Sequence, residues 1–256
     1  MIDDIPPGRP AATVVIVRDS PGAQAQILMV ERATTMVFAA GALVFPGGAV
    51  DEADRLLAVR EGATLDIDEA AARIAAIRET LEESGIAIGM VPTPDEATCA
   101  AMREGLATGA ALADVMAAHG LTLDLDQLIL FARWQPSPSD MASRIYDTRF
   151  YIVRAPEGQV ASADGSENVH LFWSDAGEIL ARCDAGAARV IYPTRRNLER
   201  LALFGCFDDL AAHAGSIAVR RISPWVEEHE GGRRLCIPGD LGYPVTWEPM
   251  DTASRS

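Results

Sequence analysis

The residues of this chain best suited to chemistry are the carboxylates of Arg78-Glu79-Thr80-Leu81-Glu82-Glu83-Ser84-Gly85-Ile86. On a helix, Glu79, Glu82 and Glu83 stand at i, i+3 and i+4 and project from one face. Like charges at that spacing repel by roughly a few tenths of a kcal/mol per pair even when solvated, unless something positive sits between them. Clustered oxygen donors suit a hard divalent cation, Mg²⁺ or Mn²⁺, better than zinc. An Arg-Glu-x-x-Glu-Glu string alone is equally what a solvated helix of good propensity carries. Phe45-Pro46-Gly47-Gly48, some thirty residues upstream, separates the two readings, because a strand ending in Pro-Gly-Gly turns sharply and exposes backbone carbonyls.

At these residues the chain resembles the Nudix hydrolase family, whose box reads G-x5-E-x7-R-E-U-x-E-E-x-G-U with U a bulky apolar residue. Arg78, Glu79, Glu82, Glu83, Gly85 and Ile86 match its second half; Thr80 departs at the first U, a position that packs behind the helix. The family spacing is interrupted: Gly48 and Arg78 lie thirty residues apart, sixteen more than the pattern allows. The acid that partners Arg78 is then either Asp54 or Glu69. Interrupted boxes of this kind look like the subgroup that includes coenzyme A diphosphatases. The coenzyme A signature of the family is matched at Arg32, Gly41 and Phe45-Pro46-Gly47-Gly48, while Ala33 and Val37 replace its Ser and second Arg. Trp134-Gln135-Pro136 and Arg149-Phe150-Tyr151 resemble the subgroup's later motifs.

The resemblance implies a Nudix α/β/α sandwich with a mixed sheet, one domain over residues 8–250 with helical insertions near 55–70 and 92–120, and a disordered tail at 251–256. It implies metal-dependent hydrolysis of a pyrophosphate bond in a nucleoside diphosphate derivative. Coenzyme A or an acyl-coenzyme A ranks first and other derivatives such as ADP-ribose follow. A catalytically idle nucleotide-sensing domain is the alternative of a different class, and the three intact glutamates speak against it. Glu79, Glu82 and Glu83 with the Gly47 carbonyl are the implied metal donors for Mg²⁺ or Mn²⁺. Arg78 is structural, expected to point away from the metal face toward Asp54 or Glu69. The general base is Glu79, Glu82 or the downstream Glu167, a loop acid just before a strand. Arg32 and Arg149 are nominated for phosphate, and Trp134 either stacks a base or packs in the core.

Composition narrows the partners. A formal net charge of −15 and a pI near 4.6 argue against the basic footprint that nucleic acid or an anionic membrane requires. There is no lysine, so every fixed cationic side chain is an arginine, the residue whose fork matches phosphate. A small nucleotide remains as the partner; oligomeric state is not encoded legibly. Cys99, Cys183, Cys206 and Cys236 lack zinc spacing and read as reduced buried thiols. The acidic, proline-bearing start is no signal peptide, and the longest uncharged run is broken by Pro46-Gly47-Gly48, so a cytoplasmic location is expected.

The elements that must position these residues are legible in outline. Ala12 to Arg18 and Gln26 to Glu31 read as a hairpin turning at Ser20-Pro21-Gly22, and Ala42 to Phe45 as a short strand delivering the glycines. Asp68 to Ser84 reads as the site helix, ending at Gly85. Glu96 to His119 reads as an alanine-rich helical region serving as support. Leu128 to Trp134, Thr148 to Val153 and Val169 to Trp173 read as strands. Pro193 to Ala214 reads as one helix with Arg195, Arg196, Glu199 and Arg200 on its polar face, followed by a hairpin turning at Glu230-Gly231-Gly232.

Overall fold

The computed structural model describes residues 7–33, 39, 41–61, 64–136, 145–163 and 168–253. The β-branched run forms β1 (Arg9–Arg18), which returns as β2 (Gln26–Arg32) with Val17 opposite Ile27. β3 (Leu43–Val44) adds to β2, and β4 (Gly47–Ala49) lies antiparallel along the first half of β1, with Thr13 opposite Gly47. The two glycines expected in a turn are therefore strand residues. A Cβ on Gly47, whose φ is 153°, would stand 2.3 Å from the Ala12 carbonyl oxygen, so only glycine lets β4 approach β1 this closely.

α1 (Glu52–Glu61) and α2 (Ile67–Ser84) follow. Asp51 Oδ1 accepts from the Asp54 amide at 2.9 Å while Asp54 Oδ2 accepts from the Asp51 amide at 3.0 Å, a reciprocal capping box that starts α1. Asp66 caps α2, and Gly85, left-handed at φ 71°, ends it by returning its amide to the Leu81 carbonyl. β5 (Met90–Val91) precedes α3 (Glu96–Ala107) and α4 (Leu112–Ala118), so the helical region expected over 96–119 is two helices. β6 (Thr122–Leu123) pairs with β5; β7 (Ile129–Trp134), β8 (Tyr146–Arg154) and β9 (Asn168–Ser174) complete the central strands.

The remaining third departs further from expectation. α5 (Ala176–Asp184) has no counterpart in the sequence reading. The helix expected from Pro193 to Ala214 is two, α6 (Tyr192–Leu201) and α7 (Phe207–Ser216), parted at 202–206. Nor is the arginine face of α6 solvated, since Arg196 and Arg200 are each 1% exposed. β10 (Arg221–Ile222) joins β7, and β11 (Trp225–His229), β12 (Gly232–Cys236) and β13 (Trp247–Pro249) form a separate small sheet before α8 (Met250–Ala253). Residues 251–253, expected in the tail, belong to α8, while 254–256 lie outside the described residues.

The main sheet runs β10-β7-β8-β1-β2-β3, with β4 on β1 and β9 on β2; β8 is parallel to β1 and the pairing is otherwise mostly antiparallel. Alternation along the strands makes two cores. Val14, Ile16 and Leu28 pack under α1 to α4, whereas Val15, Val17, Ile27 and Met29 pack under α5 to α7, giving the expected α/β/α sandwich. α2 is seated by Ile74, Ile77 and Leu81, all fully buried, each contributing about 1.5–3 kcal/mol of burial free energy. That seating fixes which face of α2 its glutamates can present.

Candidate active site

Arg78 is the hub. Its Nε and Nη2 grip both oxygens of Asp54 at 3.0 and 2.9 Å, and Nη2 also reaches the Ala49 carbonyl at 3.1 Å. This settles the partner as Asp54, which is 2% exposed and delivered by the inserted helix α1. Glu69 is elsewhere, accepting from Arg73 and the Tyr151 hydroxyl at 3.0 Å each. Arg78 does not, however, point away from the glutamates as expected. Its Nη1 donates to Glu79 at 2.9 Å and to Glu82 at 3.1 Å, because a guanidinium long enough to reach Asp54 presents its remaining nitrogen to the same helix face.

Backbone closes the site from the sheet side. Glu83, buried, accepts the Gly47 amide through Oε2 at 2.9 Å, tying β4 to α2. A Cβ on Gly48 would lie 2.3 Å from the Glu79 carboxyl carbon, so a side chain there would push the Glu79 carboxylate out of its place. Thr80, the departure from the family pattern, faces the core with its hydroxyl unpartnered among the described residues.

Burial dominates the electrostatics. It pushes Glu79 up to about 7, against the pull of Arg78, and raises Glu82 for the same reason. Asp54 is also raised by burial, opposed by its bonds to Arg78. Burial would lower the Arg78 guanidinium, but Asp54, Glu79 and Glu82 outweigh it and raise it on balance.

Among the described residues no three Asp, Glu, His or Cys side chains are grouped as a ready metal cage. Mg²⁺ is commonly held by one or two carboxylates together with waters and substrate phosphates. The donors fit that pattern. Glu79 and Glu82 share one cationic neighbour, Arg78 Nη1, and the raised Glu79 marks buried negative charge that Arg78 only partly offsets.

The other nominated residues scatter. Arg149 is held by Glu69, its Nε 3.0 Å from Oε2, some ten residues and about 15 Å along α2 from Glu79. Arg32 ends β2, its backbone bonded to Gly41 and Ala42, and its buried Nε has no partner among the described residues. Trp134 is core: it is 2% exposed and donates to the Tyr243 hydroxyl at 3.0 Å. Glu167 lies outside the described residues. All four cysteines are free, Cys99 and Cys236 buried and the other two half-buried.

Sequence reasoning missed Asp51, 3.6 Å from Arg78, and Arg103 with Ser162 at the end of α2. The Asp51-x-x-Asp54 spacing was a readable capping-box signal. Nothing local marks Arg103, whose partners lie about 20 and 59 residues away.

No family model matches the chain. The Caenorhabditis elegans protein named "Putative nudix hydrolase 7" is 26% identical over 225 residues, covering 85% of this chain and 70% of that protein. A solved Nudix hydrolase from Alicyclobacillus acidocaldarius is 28% identical and superposes with a TM-score of 0.66, covering 83% of this chain and 97% of its own. Together these relatives support the Nudix hydrolase family. The enzyme class they support is a pyrophosphohydrolase, and the mixed α/β sandwich is the Nudix fold. Among the described residues no helix is long and apolar enough to cross a membrane.

Proposed function

We propose that this Nudix pyrophosphohydrolase cleaves the pyrophosphate bond of a nucleoside diphosphate derivative with Mg²⁺ or Mn²⁺, and that coenzyme A or an acyl-coenzyme A is the substrate. The observation that carries the reading is the paired Glu79 and Glu82 carboxylates around Arg78, with Glu79 packed on Gly48 and Glu83 bonded to the Gly47 amide. Bound there, the divalent cation would supply charge neutralisation at the phosphates and a more acidic water.

The chain's own residues divide the remaining work. Arg78 orients Glu79 and Glu82 and binds them to Asp54. Glu83 locks β4 against the helix through the Gly47 amide. Glu167, or else Glu79 or Glu82, takes the proton of the attacking water. Arg32 favours the coenzyme A reading, since its Nε, without a partner among the described residues, is a donor suited to phosphate on the strand that leads into Gly41 and Phe45-Pro46-Gly47-Gly48. Arg149, already engaged by Glu69, is the weaker of the two phosphate candidates. A cleft of about 680 Å³ opens beside Glu82 between α2 and α3, floored by Gly85, Ala100 and Ala107, with room for the group beyond the pyrophosphate.

The test is a panel of coenzyme A, acyl-coenzyme A, ADP-ribose, NADH, dinucleoside polyphosphates and nucleoside triphosphates, assayed with Mg²⁺ and with Mn²⁺ and resolved by product mass. Cleavage of coenzyme A into two phosphorylated products at the highest kcat/KM is the expected result. Preference for ADP-ribose would overturn the substrate and keep the reaction; nucleotide binding without any product would favour a sensor.

A further inference from the structure

The four terminal carbonyls of α2 belong to Leu81, Glu82, Glu83 and Ser84, and carbonyls at a helix end have no amide partner within the helix. Leu81 is served by the Gly85 amide at 2.9 Å and Ser84 by the Ser162 amide at 2.8 Å. The two between them are served by one side chain. Arg103, reaching across from α3, donates from Nε to the Glu82 carbonyl at 2.8 Å and from Nη2 to the Glu83 carbonyl at 3.1 Å. Its Nη1 bonds both the carbonyl and the hydroxyl of Ser162, at 2.9 and 3.0 Å, in the connection from β8 to β9. Gly85 leaves room for this approach, since a Cβ there would stand 3.4 Å from Nη1 and 3.2 Å from the Ser162 hydroxyl.

These are the peptide units from which the Glu82 and Glu83 carboxylates hang. A side chain can hold a geometry only as well as its backbone does, and the last turn of a helix is where backbone frays. The guanidinium also places positive charge at the negative end of the helix dipole, directly beneath a face already crowded with carboxylates.

We propose that Arg103 is a positioning residue for the divalent-cation site: from a helix outside the box it fixes the backbone under Glu82 and Glu83 and ties the β8–β9 connection to it. This rests on the reading of Glu79, Glu82 and Glu83 as metal donors. The arginine also lines the cleft beside Glu82, so its positioning role is read from metal binding and not from turnover. It acts as outer-shell partners do, whose loss typically weakens metal affinity or activity ~10–100-fold.

The experiment is Mn²⁺ binding, read from the paramagnetic signal of the free ion, for wild type, Arg103→Ala, Arg103→Lys and Arg73→Ala, with folding checked by circular dichroism. Arg73 is the comparator because it bonds the Leu125 carbonyl at 2.8 Å and Glu69 at the other end of α2. Arg103→Ala is expected to weaken Mn²⁺ ~10–100-fold, Arg103→Lys less, and Arg73→Ala not at all even if its Tm falls as far. An Arg103→Ala protein that binds Mn²⁺ within about twofold of wild type, far below the outer-shell range, overturns the inference. Should that variant fail to fold, Arg103→Lys decides it, wild-type affinity again being the overturning result. A wild type that takes up no Mn²⁺ removes the metal reading and this inference together. Tight Mn²⁺ binding without turnover of any panel compound removes the substrate reading alone.

Discussion

Two arginine-centred clusters lie on opposite faces of the sheet, and their difference shows what marks a site. Around Arg78, one guanidinium faces Asp54, Glu79, Glu82 and, at 3.6 Å, Asp51. Around Arg196 and Arg200 the charges balance: Arg196 pairs with Glu199 and Glu248 at 2.8 and 3.0 Å, and Arg195 pairs with Glu199 at 3.4 Å and with Asp184. Arg200 has no carboxylate partner among the described residues, and instead lies over the Phe131 ring at 4.0 Å and bonds the Phe131 carbonyl and His213. Only the first cluster gathers an excess of one sign, with Asp54 buried, Glu79 and Glu82 partly covered and Asp51 exposed. An excess of carboxylate partly withdrawn from water is an invitation to a second cation. The even cluster leaves Arg196 Nε and Nη1, Asn197 Nδ2 and Glu248 Oε1 unpartnered among the described residues, bonds of a kind that ordered water commonly fills.

The largest expected effect is on catalysis at the uneven cluster. Glu167→Gln is expected to lower kcat ~10²–10⁴-fold with KM and Mg²⁺ dependence nearly unchanged; kcat within about threefold of wild type would return the base to Glu79 or Glu82. Glu83→Gln keeps an oxygen for the Gly47 amide but loses the charge, and its turnover should drop at least ~10²-fold at saturating Mg²⁺ without loss of fold. On the other face, Glu248→Gln should leave the kcat of the folded protein at the wild-type value. A comparable drop there would dissolve the distinction between the clusters.

Next in size is stability. Arg78→Ala strands the buried Asp54, a loss on the order of 3–5 kcal/mol, and should lower the melting temperature together with activity. An unchanged melting temperature with lost activity would move Arg78 into the substrate site.

The smallest effect is a dependence on pH. Glu79 stands at about 7 rather than its ordinary 4.5, chiefly through burial, so the native state holds that proton more tightly than the unfolded chain does. The metal-free protein should therefore lose stability, on the order of 1–3 kcal/mol, as pH rises between those two values, and Glu79→Gln should flatten the slope. Urea unfolding in a chelator across that window measures it; a slope indifferent to Glu79→Gln would show that the burial of this carboxylate is not what it senses.

How much of this was legible depended on the range of the interactions involved. The extent of α2, its end at Gly85, the β1–β2 hairpin and the three central strands follow from local periodicity and caps, which is why their bounds lie within a few residues of those observed. Glu79, Glu82 and Glu83 were readable because helical spacing alone puts them on one face. Asp54 could not be told from Glu69, since the choice is made by where α1 packs. The two glycines looked like a turn because their composition is that of one, yet their place is set by contact with β1 and with Glu79. α6 looked solvated for an analogous reason: Arg196 and Arg200 have the composition of a wet face, and only the partners brought by β7, α7 and β13 bury them.

Asp54 performs two tasks with one carboxylate, closing the capping box of α1 and gripping Arg78. The inserted helix consequently cannot fray at its start without letting go of the hub, and the hub cannot let go without uncapping that helix. In terms of local opening, α1 and the second half of α2 belong to one cooperative unit, and their amides should exchange with solvent hydrogen at a common rate, although α1 lies in the stretch that interrupts the family spacing.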